Sequence, residues 1–201
     1  MERGPVKVKI CGLRNLADAE FALSMGADAV GFVFEPDTTR YVGDDSTLVR
    51  DALGLGPFGT VVAVFGHYRS EVVLPEQAVV QYITGFPPLD RRRIQVVRIR
   101  QGEEPMPDAF VDDVEAFILE PHHDEQLGGT GTRVSLDSAE AWARICPRPV
   151  ILAGGLGPDN VATAIERVKP YGVDVSSGVE SSRGMKDRGR IRAFIEAAKR
   201  T

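Results

Sequence analysis

Eight short apolar runs, spread along 201 residues, restrict this chain more than any single motif does. They cover residues 6–10, 29–34, 60–65, 78–82, 94–99, 116–120, 149–153 and 172–175. The first alternates at period two. Most of the others are continuous and rich in Val, Ile and Phe, the pattern of strands covered on both faces in a parallel sheet.

Between the runs lie helices or helix-sized gaps. Asn15 is placed to cap a helix through about Met25, with Leu16, Ala19 and Leu23 on one face and Gly26 as its stop. Further helices are expected from Ser46 to Leu53, over 136–144, over 158–168 with Pro158 at its first position, and over 187–199. The alternation predicts an α/β fold, a single parallel eight-stranded (βα)8 TIM barrel spanning residues 1–201. Helices three and four should be short or irregular, because Pro75 interrupts one gap and Pro87-Pro88 opens the next.

In such a barrel the residues at strand C-termini face the active site. Reading them off places Cys11, Arg40 (in the loop after strand two), Gln81, Glu120, Gly154, Gly155 and Asp174 at one rim. Strand seven ends in Leu152-Ala153-Gly154-Gly155-Leu156, and strand eight runs into Asp174-Val175-Ser176-Ser177-Gly178. One such loop reads most simply as a tight turn. Two in tandem after the last strands favour an anion pocket of backbone amides, the common phosphate site of these barrels.

Cys11 beside a carboxylate at Glu120 suits paired acid–base work on a phosphorylated substrate. A free cysteine is more often a small buried hydrophobe, and Cys146, before strand seven, is read that way. Arg91-Arg92-Arg93 reads as a solvated face or helix end.

Composition narrows the partners. The net charge is −5, and no basic stripe points to nucleic acid. No run of about 18 apolar residues is present to span a membrane, and the N-terminus lacks an apolar signal region. With two cysteines and no metal-ligand spacing, we expect a cytoplasmic enzyme with free thiols and no metal, a monomer or homodimer.

Lys9-Ile10-Cys11-Gly12-Leu13, residues 26–34, Arg40-Tyr41-Val42, Gly128-Gly129-Thr130-Gly131, residues 152–156 and residues 172–180 together resemble the phosphoribosylanthranilate isomerase family. The resemblance spans nearly the whole chain. It implies an Amadori rearrangement of N-(5'-phosphoribosyl)anthranilate in tryptophan biosynthesis, on a small phosphorylated sugar-amine substrate and with no cofactor. It makes Cys11 the general base and Glu120, where the family has aspartate, the general acid. It sets Arg40 against the anthranilate, Asp174 and Gln81 in substrate binding, and Gly129, Gly154, Gly155, Ser176, Ser177 and Gly178 around the phosphate.

Four departures sit at or near the substrate end. Glu120 lengthens the acid by a methylene, with Asp124 as a second candidate. Gln81-Tyr82-Ile83-Thr84-Gly85 lacks the histidine of the family's Gln-Leu-His-Gly. Phe65-Gly66-His67 and Val134-Ser135-Leu136-Asp137 replace the usual valine-asparagine and phenylalanine-aspartate-tryptophan. These leave open a paralogue acting on a different phosphoribosylated substrate, or an inactive barrel that binds a phosphorylated ligand.

Overall fold

The apolar runs do become strands. The computed structural model describes residues 4–111, 113–122 and 133–201. In it β1 (Lys7–Cys11), β2 (Ala29–Val33), β3 (Thr60–His67), β4 (Val79–Thr84), β5 (Arg93–Ile99), β6 (Ala116–Pro121), β7 (Val150–Leu152) and β8 (Gly172–Val175) close into a parallel barrel. Each strand pairs with its neighbours in sequence, and β8 returns to β1 with Asp174 opposite Lys9.

Two apolar layers hold it. Val62, Val79, Ile94, Val96, Ala116, Ile118 and Ile151 fill the barrel interior. The alternate side chains, such as Val61, Ala63, Val80 and Phe117, face outward into the larger layer under the helices. Burying each large aliphatic or aromatic side chain contributes about 1.5–3 kcal/mol.

α1 (Leu16–Ser24), α2 (Thr47–Leu53), α3 (Leu136–Ile145), α4 (Val161–Val168) and α5 (Arg188–Lys199) follow β1, β2, β6, β7 and β8. Asn15 caps α1 as expected, accepting from the Asp18 amide at 2.8 Å. α4 starts later than its proline suggests. Asn160 accepts from the Gly157 amide and donates to the Gly155 carbonyl, winding 157–160 into a separate turn, so Pro158 lies outside the helix.

Helices three and four are absent from the described residues, not merely short, and only a 3-10 turn (Pro107–Ala109) lies between β5 and β6. Pro75 breaks the gap before β4, and Pro87 and Pro88 leave only residues 89–92 before β5. Side chains cover those strands instead. Val72 and Leu74 are buried, Phe65 stacks on Phe34 and meets Tyr68 edge-on, 5.4 Å from each, and Phe110 packs edge-on against Phe117 and Trp142.

The arginine run is solvated only at Arg92; Arg91 is half-buried and Arg93 buried. Arg91 donates to the carbonyls of Leu74 and Pro75, Arg92 grips Glu115 with two nitrogens, and Arg93 is buried and donates to the Asp113 carbonyl. These contacts pin the helix-free connections together.

Beyond β8 the chain makes a 3-10 turn (Ser177–Val179) and a small hairpin, β9 (Glu180–Ser182) with β10 (Met185–Lys186). No helix among the described residues is long and apolar enough to cross a membrane.

Candidate active site

At the C-terminal end of the barrel, three ionic clusters lie side by side. The first joins β1 to β8. Alternation along β1 directs Lys9 and Cys11 inward, both buried, and Lys9 Nζ donates to Asp174 Oδ1 at 2.9 Å. Gly31 on β2 makes room for them: a Cβ there would lie 3.1 Å from both Cys11 Sγ and Lys9 Cε, and 3.3 Å from Lys9 Nζ. The amine and the thiol therefore converge on the space one missing side chain leaves. Burial pushes the Cys11 thiol up, Lys9 and Lys186 pull it down, and Asp174 adds to the rise; the net direction is up. Burial pulls the Lys9 ammonium down, but Asp174 and Cys11 outweigh it and leave it raised.

The second cluster bridges β5 and β6. Arg98 and Glu120 are register partners, and Arg98 Nε donates to Glu120 Oε1 at 3.0 Å. Burial pushes the Glu120 carboxyl above the ordinary value, and the attraction of Arg98 only partly offsets it. Asp174 and Lys9 also act on Glu120, so the first two clusters share one field.

The third cluster lies beneath the chain leaving β8. Arg40 Nε and Nη2 engage both oxygens of Glu180 at 2.8 and 2.9 Å. Lys186 Nζ donates to Glu180 Oε1 at 3.0 Å and to the Ser176 carbonyl at 2.9 Å. All three side chains are buried. Burial raises the Glu180 carboxyl, but Arg40 and Lys186 overcome it and hold it below the usual glutamate range. Gly12, at φ +72, lets Arg40 Cδ and Ser176 Oγ approach β1 to where a Cβ would stand 2.5 and 2.8 Å from them.

The glycine loops meet above this cluster. Gly154 and Gly155 have φ of +96 and +63, and the Pro121 ring occupies the place a Cβ on Gly154 would take. A Cβ on Gly178 would lie 1.9 Å from the Leu156 carbonyl oxygen, so the loops after β7 and β8 touch backbone to backbone. The amides of Ser177 and Gly178 open a 3-10 turn, where no carbonyl of the turn itself reaches them. Gly129 and Asp124 lie outside the described residues.

Gln81 is buried on the inward face of β4, between Val79 and Ile83, and its Oε1 has no partner. Ile83, where the family carries histidine, packs on the interior layer. His67 does not replace it: alternation along β3 turns it outward, and its Nδ1 lies 3.1 Å from Thr84 Oγ1. Among the described residues, no group of three or more His, Cys, Asp or Glu side chains is arranged to hold a metal.

Counted together, Lys9, Arg40, Arg98 and Lys186 face Glu120, Asp174 and Glu180. These three clusters thus carry four cations against three carboxylates, a balance suited to an anionic ligand.

Residues 92–197 match the family model described as N-(5'phosphoribosyl)anthranilate (PRA) isomerase. The chain is 40% identical to N-(5'-phosphoribosyl)anthranilate isomerase of Geobacter metallireducens, over 96% of this chain and 99% of that protein. The chain belongs to the phosphoribosylanthranilate isomerase family.

The solved structures agree. The phosphoribosyl anthranilate isomerase of Thermotoga maritima superposes with a TM-score of 0.78 at 32% identity, covering 98% of this chain and 100% of that one. A further isomerase structure, with reduced 1-(o-carboxyphenylamino)-1-deoxyribulose 5-phosphate bound, superposes at 0.72 with 31% identity, covering 98% of this chain and 100% of that one.

Within this isomerase barrel, the strand-end residues read from the sequence do gather at one end: Cys11, Glu120 and Asp174 around the first two clusters, Arg40, Ser176, Ser177 and Gly178 around the third. Arg40 enters as a buried, doubly bonded partner of Glu180. Sequence reasoning passed over Lys9, Arg98, Glu180 and Lys186. Lys9 carried a signal, a lysine on the inward face of an otherwise apolar strand. Arg98 carried the same signal, in step with the inward Ile94 and Val96 on β5, whereas Glu180 and Lys186, six positions apart, carried none, because only the turn and hairpin beyond β8 bring them together.

Proposed function

We propose that this isomerase-family chain converts N-(5'-phosphoribosyl)anthranilate into 1-(2-carboxyphenylamino)-1-deoxyribulose 5-phosphate, the Amadori step of tryptophan biosynthesis. Glu120 protonates the furanose ring oxygen, the ring opens, and the nitrogen lone pair forms the C1' Schiff base. Cys11 takes the C2' proton, and the electrons of that bond form an enolamine. Protonation at C1' and loss of the hydroxyl proton from O2' give the ketone, so the sum is an isomerisation with no net proton uptake.

The observation that carries this reading is the convergence of a thiol, a carboxyl of raised pKa and a cationic, glycine-lined loop pair at one end of the barrel. A carboxyl that keeps its proton above the usual range is suited to act as an acid. The loops after β7 and β8 take the phosphate through the amides of Gly154, Gly155, Ser177 and Gly178, helped by Ser176 and, from the following loop of β6, Gly129. Lys186 and Arg40 sit behind them as fixed positive charge. Asp174 and the orphaned Gln81 amide bind substrate polar groups, and Arg40 Nη1, which Glu180 does not engage, is left for the anthranilate side. The reaction needs no metal or cofactor, and the enzyme works in the cytoplasm as a monomer or homodimer.

Ile83 and the longer acid at Glu120 favour one second reading, a paralogue using a different amine on the same phosphosugar. Turnover of freshly made phosphoribosylanthranilate, followed by its fluorescence, separates the two. Wild-type activity that Glu120→Gln abolishes supports the isomerase. No wild-type activity, with activity gained in Glu120→Asp, moves the assignment to the paralogue.

A further inference from the structure

Cys11 is buried, and a buried thiol that keeps its proton is a poor base. A buried lysine with no part in the steps proposed above stands next to it. We infer that Lys9 is a positioning residue that stabilises the thiolate of Cys11 as it forms, its ammonium acting as the shared counter-charge of Cys11 and Asp174. The inference rests on the reading of Cys11 as the base.

The geometry supports it independently. Lys9 and Cys11 are two residues apart on β1, so both point into the barrel. Both press on the space above Gly31, so the amine has no side chain between it and the thiol. Nζ is fixed by a 2.9 Å bond to Asp174 Oδ1 and is screened from water, with 4% of the side chain exposed. An ammonium held in a dry site by one carboxylate acts on a neighbouring thiol far more strongly than a solvated lysine would.

The other charged groups that face this pair are Asp174 from β8, Glu120 from β6 with its partner Arg98 on β5, and Lys186 from β10 with Arg40 and Glu180 behind it. Lys186 works with Lys9 on the thiol, and Asp174 works against it. The signs for single variants follow. Loss of the ammonium raises the thiol. Loss of the Asp174 charge lowers it.

The test is the pH titration of the Cys11 thiolate in the intact protein. It is read as the ultraviolet absorbance that disappears when the same titration is run on the matching Cys11→Ser protein. Lys9→Met should move the midpoint up by about one pH unit or more, and Asp174→Asn should move it down. The double variant Lys9→Met/Asp174→Asn leaves no lone buried charge, so it tests the idea even where Lys9→Met fails to fold. Its midpoint should lie above that of Asp174→Asn. A double variant that titrates with Asp174→Asn, or a Lys9→Met protein that titrates with wild type, overturns the inference. A merely structural role for Lys9 would lower the melting temperature and leave the midpoint in place. Turnover by Cys11→Ser is read alongside. If that protein still turns over, the general-base reading fails, whatever the titration shows. If it is inactive and the midpoints do not move, the inference alone fails.

Discussion

Arg98 Nε donates to Glu120 Oε1 across 3.0 Å, between residues that face each other in register on β5 and β6. A cation thus holds the carboxyl proposed as the acid, while burial still pushes that carboxyl up. The two influences divide its work: burial keeps the proton on, and Arg98 steadies the anion that forms once the proton has left.

Removing that cation should make stability depend on pH. In Arg98→Met, Glu120 rises further above its unfolded value. Stability from a raised carboxyl is present below the unfolded pKa, about 4.3, and is lost as pH rises through the folded one. The melting temperature of Arg98→Met should therefore fall behind wild type by a growing margin between about pH 5 and pH 8. A constant gap over that range would contradict the coupling.

Glu180 behaves in the opposite sense. It is buried between Arg40 and Lys186, so Glu180→Gln strands two cations and should cost about 3–5 kcal/mol at neutral pH. Its folded pKa lies below the unfolded one, so its contribution is present above the unfolded value and lost as pH falls through the folded one. Denaturant melts should show wild type and variant converging in acid.

Gly31 tests how tightly the Lys9–Cys11 pair is seated. Its backbone does not need glycine, since its φ is not positive, so Gly31→Ala should fold. The added methyl would stand 3.1 Å from both Cys11 Sγ and Lys9 Cε and must push them aside by a few tenths of an ångström. A displacement of about 1 Å at a reacting group can cost roughly a hundredfold. We expect kcat to drop by about tenfold or more, with KM nearly unchanged. Wild-type kcat in Gly31→Ala would show that the pair tolerates movement.

Gln81 offers stability against function. Its buried Oε1 has no partner, at a cost of about 1–3 kcal/mol. Gln81→Leu should raise the melting temperature and lower kcat/KM, as removal of a functional polar group commonly does. A variant that is less stable would mean that water already satisfies the amide.

The legible part of this protein is the part set by local pattern. Continuous apolar runs such as 29–34 and 116–120 read as buried parallel strands, and Asn15 read correctly as a cap. The reading faltered where side-chain contacts replaced backbone order. The Phe34–Phe65–Tyr68 stack covers strands that lack a helix, Asn160 turns the chain before α4, and Arg91 ties two loops. None of these leaves a periodic trace.

The eight strands, and the placing of Cys11, Glu120 and Asp174 towards one end of them, are legible in the sequence alone, because strand periodicity and glycine turns act over a few residues. Tertiary structure decided which charge answers which. Lys9 meets Asp174 across 165 positions, and Arg40 meets Glu180 across 140. The first pair exists because the closing barrel sets β1 beside β8, the second because the chain leaving β8 returns over the loop after β2, and burial leaves each charge no solvent to turn to.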